Sequence, residues 1–374
     1  MNSQIRVLHI LHSMNRGGAE NAIMNYYRFI DKSRVQFDFL LTDPNHCSFE
    51  DELISLGSVI YRAPLLSFRH PFRYLRFVNC FFKEHKEYKI VHSHTSSKSF
   101  FPLLLAKHNG IQNRICHSHS SKTDSGIKGI VRKLLMPLLK LVATDYLACG
   151  EQAAIWLYGK EFVEDGKVQI FKNVIDASLF RLNNEKRGSV RLSLGINPDQ
   201  FVIGHTARFH EVKNHLFDLE ILNEALKIYP ETRLLLVGDG DLKSAIIEKA
   251  NQLGILDKVI MAGVVSNVSD YEQAMDAFIL PSFYEGLPLS IIEAQTSGLP
   301  CFTTKDTVSP ECSVTELVHY LPLDSSKEWA TLILNEKRNQ RKDRYDEIVQ
   351  AGYDAKTSAG LLQHYYEDKI TAAK

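Results

Sequence analysis

Short apolar runs alternate with longer amphipathic stretches along almost the whole chain. The runs at 5–11, 37–41, 59–61, 90–92, 113–116 and 145–149 are close to continuous, the pattern of strands covered on both faces of a parallel sheet. Apolar residues at helical spacing fill the stretches between them, so repeated strand–helix units are predicted. A second series follows, with a helix near 185–194 and strands at 201–205, 233–237, 259–262, 277–280 and 300–304. Helices at 327–335 and 354–366 close the chain, with a basic run at 337–344 between them. This is an α/β chain, and 374 residues are long for one core, so two domains are expected. Ligands of doubly wound sheets bind beyond the carboxyl ends of the strands.

The segment 277–300 is the most informative. It opens as the strand Ala277–Leu280, turns through Pro281 and Ser282, and becomes a helix near Pro288 that stops at Gly298, with Pro300 beyond. Proline at a first helical position and glycine past the last are the expected punctuation. Glu285 then lies at a helix start, where free amides of Gly286, Leu287 and Leu289 favour an anionic or hydroxyl-rich ligand; Pro288 has no N–H to offer. Glu293 sits about 7–8 Å further along the helix at 1.5 Å per residue. Taken singly, one acid reads as a dipole partner and the other as a solvated helical glutamate.

Other strand ends carry chemistry too. Gly17-Gly18-Ala19-Glu20 joins the first strand to a helix, a loop whose backbone can approach a phosphate closely or simply make a tight turn. Arg208 and Lys213 fall between a strand and a helix and could grip two phosphates, Arg as a planar fork and Lys as a point charge. The pairs His92/His94 and His117/His119 end two strands, with i and i+2 on one face. Four imidazoles could hold zinc, but no carboxylate or thiol completes an ordinary coordination pattern, and no metal is expected. Asp239-Gly240-Asp241 reads as a polar turn rather than a Mg²⁺ site.

Hydrophobic residues make up 44% and charged residues 24%, as in globular proteins, and no run approaches the 18 apolar residues of a membrane span. The N-terminus reads as a strand start and not a signal peptide. Six scattered cysteines without a C-x-x-C pair read as reduced thiols. A cytoplasmic chain is expected, at most peripheral at the inner face of the plasma membrane. Residues 1–180 hold 23 Lys/Arg against 16 Asp/Glu, and 181–374 hold 21 against 28, so the earlier half suits an anionic partner. No nucleic-acid-binding motif accompanies those charges. A basic aromatic run from Arg69 to Lys83 and a basic apolar run from Ile127 to Lys140 suit either an anionic membrane surface or a core-facing helix with a solvated basic side.

The pattern Glu285-Gly-x-Pro-x-x-x-x-Glu293 resembles the Glu-x7-Glu signature of retaining nucleotide-sugar glycosyltransferases of the GT-B fold, family 4 (glycosyl transferases group 1). Further segments resemble that family in its order: Gly17-Gly18-x-Glu20, the strand end Arg114 to His119, Asn173-Val-Ile-Asp176, Arg208 with Lys213-Asn214, the Gly238-x-Gly240 turn, and Gly263-Val264-Val265. Lys172 and Val174 stand where the family has Pro and Gly, and Ala207 where it has Gly.

The resemblance implies two Rossmann-like domains facing across a cleft. Its boundaries fall at 1–177 (acceptor side), 178–353 (nucleotide sugar) and 354–374 (a helix returning to the first domain). It implies that Gly17, Gly18, Arg208 and Lys213 meet the donor diphosphate and that Gly238, Val264 and Val265 line the nucleotide. Gly286, Leu287 and Leu289 would donate amides, and Glu293 would bind the ribose. Glu285 would hold sugar hydroxyls, and His119, with His117 as the alternative, would contact the transferred sugar. The implied reaction is metal-independent, retaining transfer of a hexosyl group from a nucleotide sugar, UDP-linked by preference, to a growing and lipid-linked surface glycan. No cofactor besides this substrate is implied. A sugar-nucleotide 2-epimerase of the same fold and a non-catalytic sugar-nucleotide-binding protein are the alternatives.

Overall fold

The computed structural model describes residues 4–67, 70–119, 126–338 and 340–371, and the chain divides into two compact units. One comprises Met1–Val174 together with Ala355–Lys374; the other is Ile175–Asp354.

In the first unit seven parallel strands are arranged 3-2-1-4-5-6-7: β1 (Ile5–Leu11), β2 (Val35–Leu41), β3 (Ile60–Arg62), β4 (Ile90–Ser93), β5 (Asn113–Ser118), β6 (Asp145–Ala148) and β7 (Gln169–Ile170). Every residue of β2 is buried, which explains its unbroken apolar run. Side-chain alternation sends Val7, Phe37, Phe39, Ile90 and Ile115 to one face, where they pack with Leu362 and Tyr366 of the terminal helix Ala355–Thr371. Leu8, Leu40, Val91 and Cys116 go to the other, under Tyr74, Val78 and Phe82 of the helix Pro71–Glu84. The first face also carries five histidines, 9, 92, 94, 117 and 119.

In the second unit six parallel strands are arranged 3-2-1-4-5-6 as β10-β9-β8-β11-β12-β13. They are β8 (Phe201–Thr206), β9 (Thr232–Val237), β10 (Val259–Gly263), β11 (Ala277–Leu280), β12 (Cys301–Thr304) and β13 (Val318–Leu321). The order reverses between β8 and β11, so their carboxyl ends flank the switch point at which open α/β sheets take ligands. Two glycines there allow close backbone approach. A Cβ on Gly238, whose φ is 145°, would lie 2.0 Å from the Ala207 carbonyl oxygen, and one on Gly240 would lie 2.4 Å from that of Phe209.

Several local expectations change. Pro288 is the cap preceding the helix Leu289–Thr296, in extended conformation, and not its first helical residue. Strands β7 and β13 and the helix Tyr345–Gln350 were not expected; both strands are short sheet edges with weak apolar patterning. In the basic run at 337–344, Arg341 turns inward and donates to the carbonyls of Gln273 (2.8 Å) and Met275 (3.0 Å). In the helix Pro71–Glu84, Arg73 and Arg76 are exposed while Tyr74, Val78, Phe81 and Phe82 are buried. Arg69 and the side chains of Ile127 and Lys128 lie outside the described residues.

Candidate functional site

The centre of the second unit's site is made by two segments far apart in sequence. After β8 the chain forms the turn Glu211–Lys213, in which His210 Nδ1 accepts from the Val212 amide at 3.3 Å. Asn214 follows at φ 57°, ψ 42°, a left-handed conformation that asparagine tolerates far better than most side chains, and the helix His215–Ile228 begins directly. The loop after β11 is tied to this turn by the Phe283 amide, which donates to the Val212 carbonyl at 2.9 Å. That bond brings Lys213 to Glu285, with Nζ 2.6 Å from Oε1. Ser282 Oγ donates to the same carboxylate oxygen at 2.6 Å, and the Glu285 amide donates to the Thr307 carbonyl. The acid retains only 11% side-chain exposure and the lysine 25%, so the pair is desolvated and oriented in advance. Ser282 and Thr307 carry no signal in sequence; their roles come from the backbone geometry.

Other expected residues lie at the same end of the sheet but outside that contact. Arg208 points to solvent, 3.3 Å from Asp241, with side-chain exposures of 70% and 80%. It is not brought into the Lys213–Glu285 contact. Asp239 accepts from the Gly240 amide at 2.8 Å and pairs with Lys243, as a polar turn does. Val264 is exposed after β10, and Val265 packs partly on the core. A Cβ on Gly286 would meet nothing within 4 Å, so the space beside this residue is open.

Glu293, half-buried in that helix, has its carboxyl pushed up to about 7 by desolvation. It faces an acid that sequence did not single out: Glu272, fully buried, whose carboxyl is raised by burial first and by Glu293 second. Two carboxyls so close cannot both ionise cheaply. Beside the central pair lies a buried polar cluster. His205 Nδ1 is 2.7 Å from Asp218 Oδ2, and the ring of His215 stacks on that of His205 with centroids 4.4 Å apart. Lys213 and Glu285 both act electrostatically on His205.

In the first unit, Gly17 precedes the helix Gly18–Phe29 in extended conformation. A Cβ on Gly17 would sit 2.4 Å from Glu20 Oε2, so this carboxylate folds back over the helix start where an anion was expected; Gly18 is open. His119 is half-buried and His117 is buried, which makes His119 the more accessible of the two. His119 Nδ1 shares a hydrogen bond with Asn173 Oδ1 at 3.0 Å, and its Nε2 another with His94 Nδ1 at 2.8 Å. No helix among the described residues is long and apolar enough to cross a membrane.

The family model described as glycosyl transferases group 1 matches residues 187–342. A curated relative, the putative glycosyltransferase EpsF of Bacillus subtilis (strain 168), is 37% identical over 97% of each chain. A second, the UDP-Gal:alpha-D-GlcNAc-diphosphoundecaprenol alpha-1,3-galactosyltransferase of Escherichia coli, is 26% identical over 59% of this chain and 58% of its own. Among solved structures, Anabaena HepE in complex with UDP-glucose superposes with a TM-score of 0.71 at 17% identity, covering 98% of this chain and 97% of HepE. The fold is therefore GT-B, and the chain belongs to the glycosyl transferases group 1 family and is a glycosyltransferase.

Proposed function

We propose that this enzyme moves a hexosyl group from a UDP-sugar to a hydroxyl of a growing, lipid-linked surface glycan, with retention of configuration. The observation that carries the reading is the desolvated Lys213–Glu285 pair at the switch point of the second unit's sheet. Lys213, Arg208, Gly18 and the amides of Gly286, Leu287 and Leu289 stabilise the departing diphosphate, so the transfer step needs no divalent metal. Glu285 accepts from sugar hydroxyls, and His119 orients the sugar. Gly238, Val264 and Val265 line the nucleotide, and Glu293 accepts from the ribose. The C1–phosphate bond breaks as the acceptor oxygen bonds to C1 on the same face, and the acceptor's proton passes to the leaving phosphate. Support for UDP and for a lipid-linked acceptor comes from the ligand of HepE and the name of the galactosyltransferase. Phe72, 80% exposed beside Arg73 and Arg76, supports docking at an anionic membrane surface where such an acceptor resides.

Glu285→Gln tests the central assignment. Transfer from a UDP-sugar should fall by more than about 100-fold while UDP affinity by calorimetry changes by less than about threefold. Wild-type turnover in that variant would remove Glu285 from the site, and tighter binding of GDP or ADP than of UDP would overturn the donor class.

Glu293 adds a pH signature. Burial raises its carboxyl, and only the ionised form accepts from both ribose hydroxyls, so UDP-glucose should bind more tightly at pH 8 than at pH 6. UDP-glucose is the right probe because its diphosphate has no secondary ionisation in this range. In Glu293→Gln the dependence should flatten; an equally steep profile there would assign it to another group.

A further inference from the structure

Five imidazoles share one face of the first unit's sheet, His9 on β1, His92 and His94 at the end of β4, and His117 and His119 at the end of β5. They surround a cavity of about 20 Å³, room for one water-sized occupant. His9 was hidden from sequence inspection inside an apolar strand, and it adds a fifth imidazole to the two His-x-His pairs. Two chains of hydrogen bonds cross the group. One runs His9 Nδ1 to His94 Nε2 (3.0 Å), His94 Nδ1 to His119 Nε2 (2.8 Å) and His119 Nδ1 to Asn173. The other runs Tyr366 OH to His92 Nδ1 (2.7 Å) and His92 Nε2 to His117 Nδ1 (3.1 Å). Each chain stops at a buried nitrogen with no hydrogen-bond partner, His9 Nε2 and His117 Nε2.

We propose that His9, His92 and His94 form a binding site for one divalent transition-metal ion of the zinc or cobalt type. One nitrogen from each of these residues lies within 4.8 Å of the other two. Tetrahedral coordination at 2.0–2.1 Å sets nitrogens about 3.4 Å apart, so each must move by less than about 1 Å. The surroundings already have the outer architecture of a metal site, in which a ligating imidazole is oriented through its other nitrogen. Tyr366 fixes His92 through Nδ1, and His119, itself held by Asn173, fixes His94 through Nδ1. His117 Nδ1 stands 3.1 Å from His92 Nε2, and a water would complete the coordination. An all-imidazole set selects borderline metals over magnesium or calcium. The ion would tie β1 and β4 to the terminal helix through Tyr366. It takes no part in the transfer step proposed above, so its failure leaves that reading standing.

Tag-free full-length protein, stripped with chelator and dialysed, is titrated with Zn(II) and with Co(II). One equivalent should bind per chain, Co(II) should give the visible d–d bands of a tetrahedral site, and the thermal midpoint should rise. His9→Phe keeps an aromatic ring in the core but removes a ligand; it should lose stoichiometric binding and the Co(II) bands. Tyr366→Phe keeps every ligand and should weaken affinity by about tenfold. Less than stoichiometric uptake by the wild type, or unchanged uptake and spectra in His9→Phe, overturns the site. If His9→Phe does not fold, an unaltered affinity in Tyr366→Phe together with no metal-dependent midpoint in the wild type does the same.

Discussion

Lys213→Ala is expected to lower turnover about 10²–10³-fold and to lower thermal stability as well, because the shielded Glu285 carboxylate loses its cation. The lysine is held 2.6 Å from Glu285 and is three-quarters shielded from water, so its charge is set in place before the donor arrives. Preorganised charge aimed at a leaving group is worth most where water is excluded, and removing one such donor costs on this order in other enzymes. The loss should appear in kcat as well as in kcat/KM, because the phosphate's negative charge grows as the bond to the sugar breaks. Arg208→Ala provides the contrast. Its guanidinium is mostly solvated and its pairing with Asp241 is an exposed one, so ordering it offsets part of what it contributes. That variant should lose about tenfold, mainly in donor affinity. Steady-state kinetics with calorimetric UDP binding separates the two; near-wild-type kcat in Lys213→Ala would remove the lysine from the transition state.

The pattern of apolar runs located the central strands well because buried parallel strands need nearly continuous hydrophobic residues, as in β2 and β11. The edges were less legible. A two-residue strand such as β7 has both residues exposed and no apolar run to betray it. The residues of the site were legible as types at strand ends, but their contacts were not. Lys213 meets Glu285 because one backbone hydrogen bond joins two segments some seventy residues apart, and no local pattern encodes that bond. Glu272 was invisible for a different reason: a glutamate in a short helix looks solvated until the neighbouring elements close over it. Asn214 shows the converse. Its left-handed backbone disfavours most other side chains after the lysine, a constraint written in one residue and readable only once the turn is seen.

The other large expected effect is in stability. Asp218 is fully buried on the helix His215–Ile228, and desolvation pushes its carboxyl up to about 8 from an ordinary value near 3.8. Between those values the folded chain keeps a proton that the unfolded chain has released. The unfolded state therefore binds fewer protons, and stability must fall as pH rises through this window. The slope from this one group is about 1.4 kcal/mol per pH unit, or about 2 kcal/mol between pH 6 and pH 8. His205 and His215 act in the opposite sense and at lower pH, since burial lowers both to about 3 and each stays neutral well below its ordinary range, where the unfolded chain is protonated. Asp218→Asn keeps the size of the side chain and an N–H for His205 Nδ1 while removing the titration. Denaturant melts of the two proteins should therefore diverge, with the variant gaining about 2 kcal/mol on the wild type from pH 6 to pH 8. Parallel curves across that range would mean that Asp218 is ionised in the folded protein and that something neutralises it inside the core.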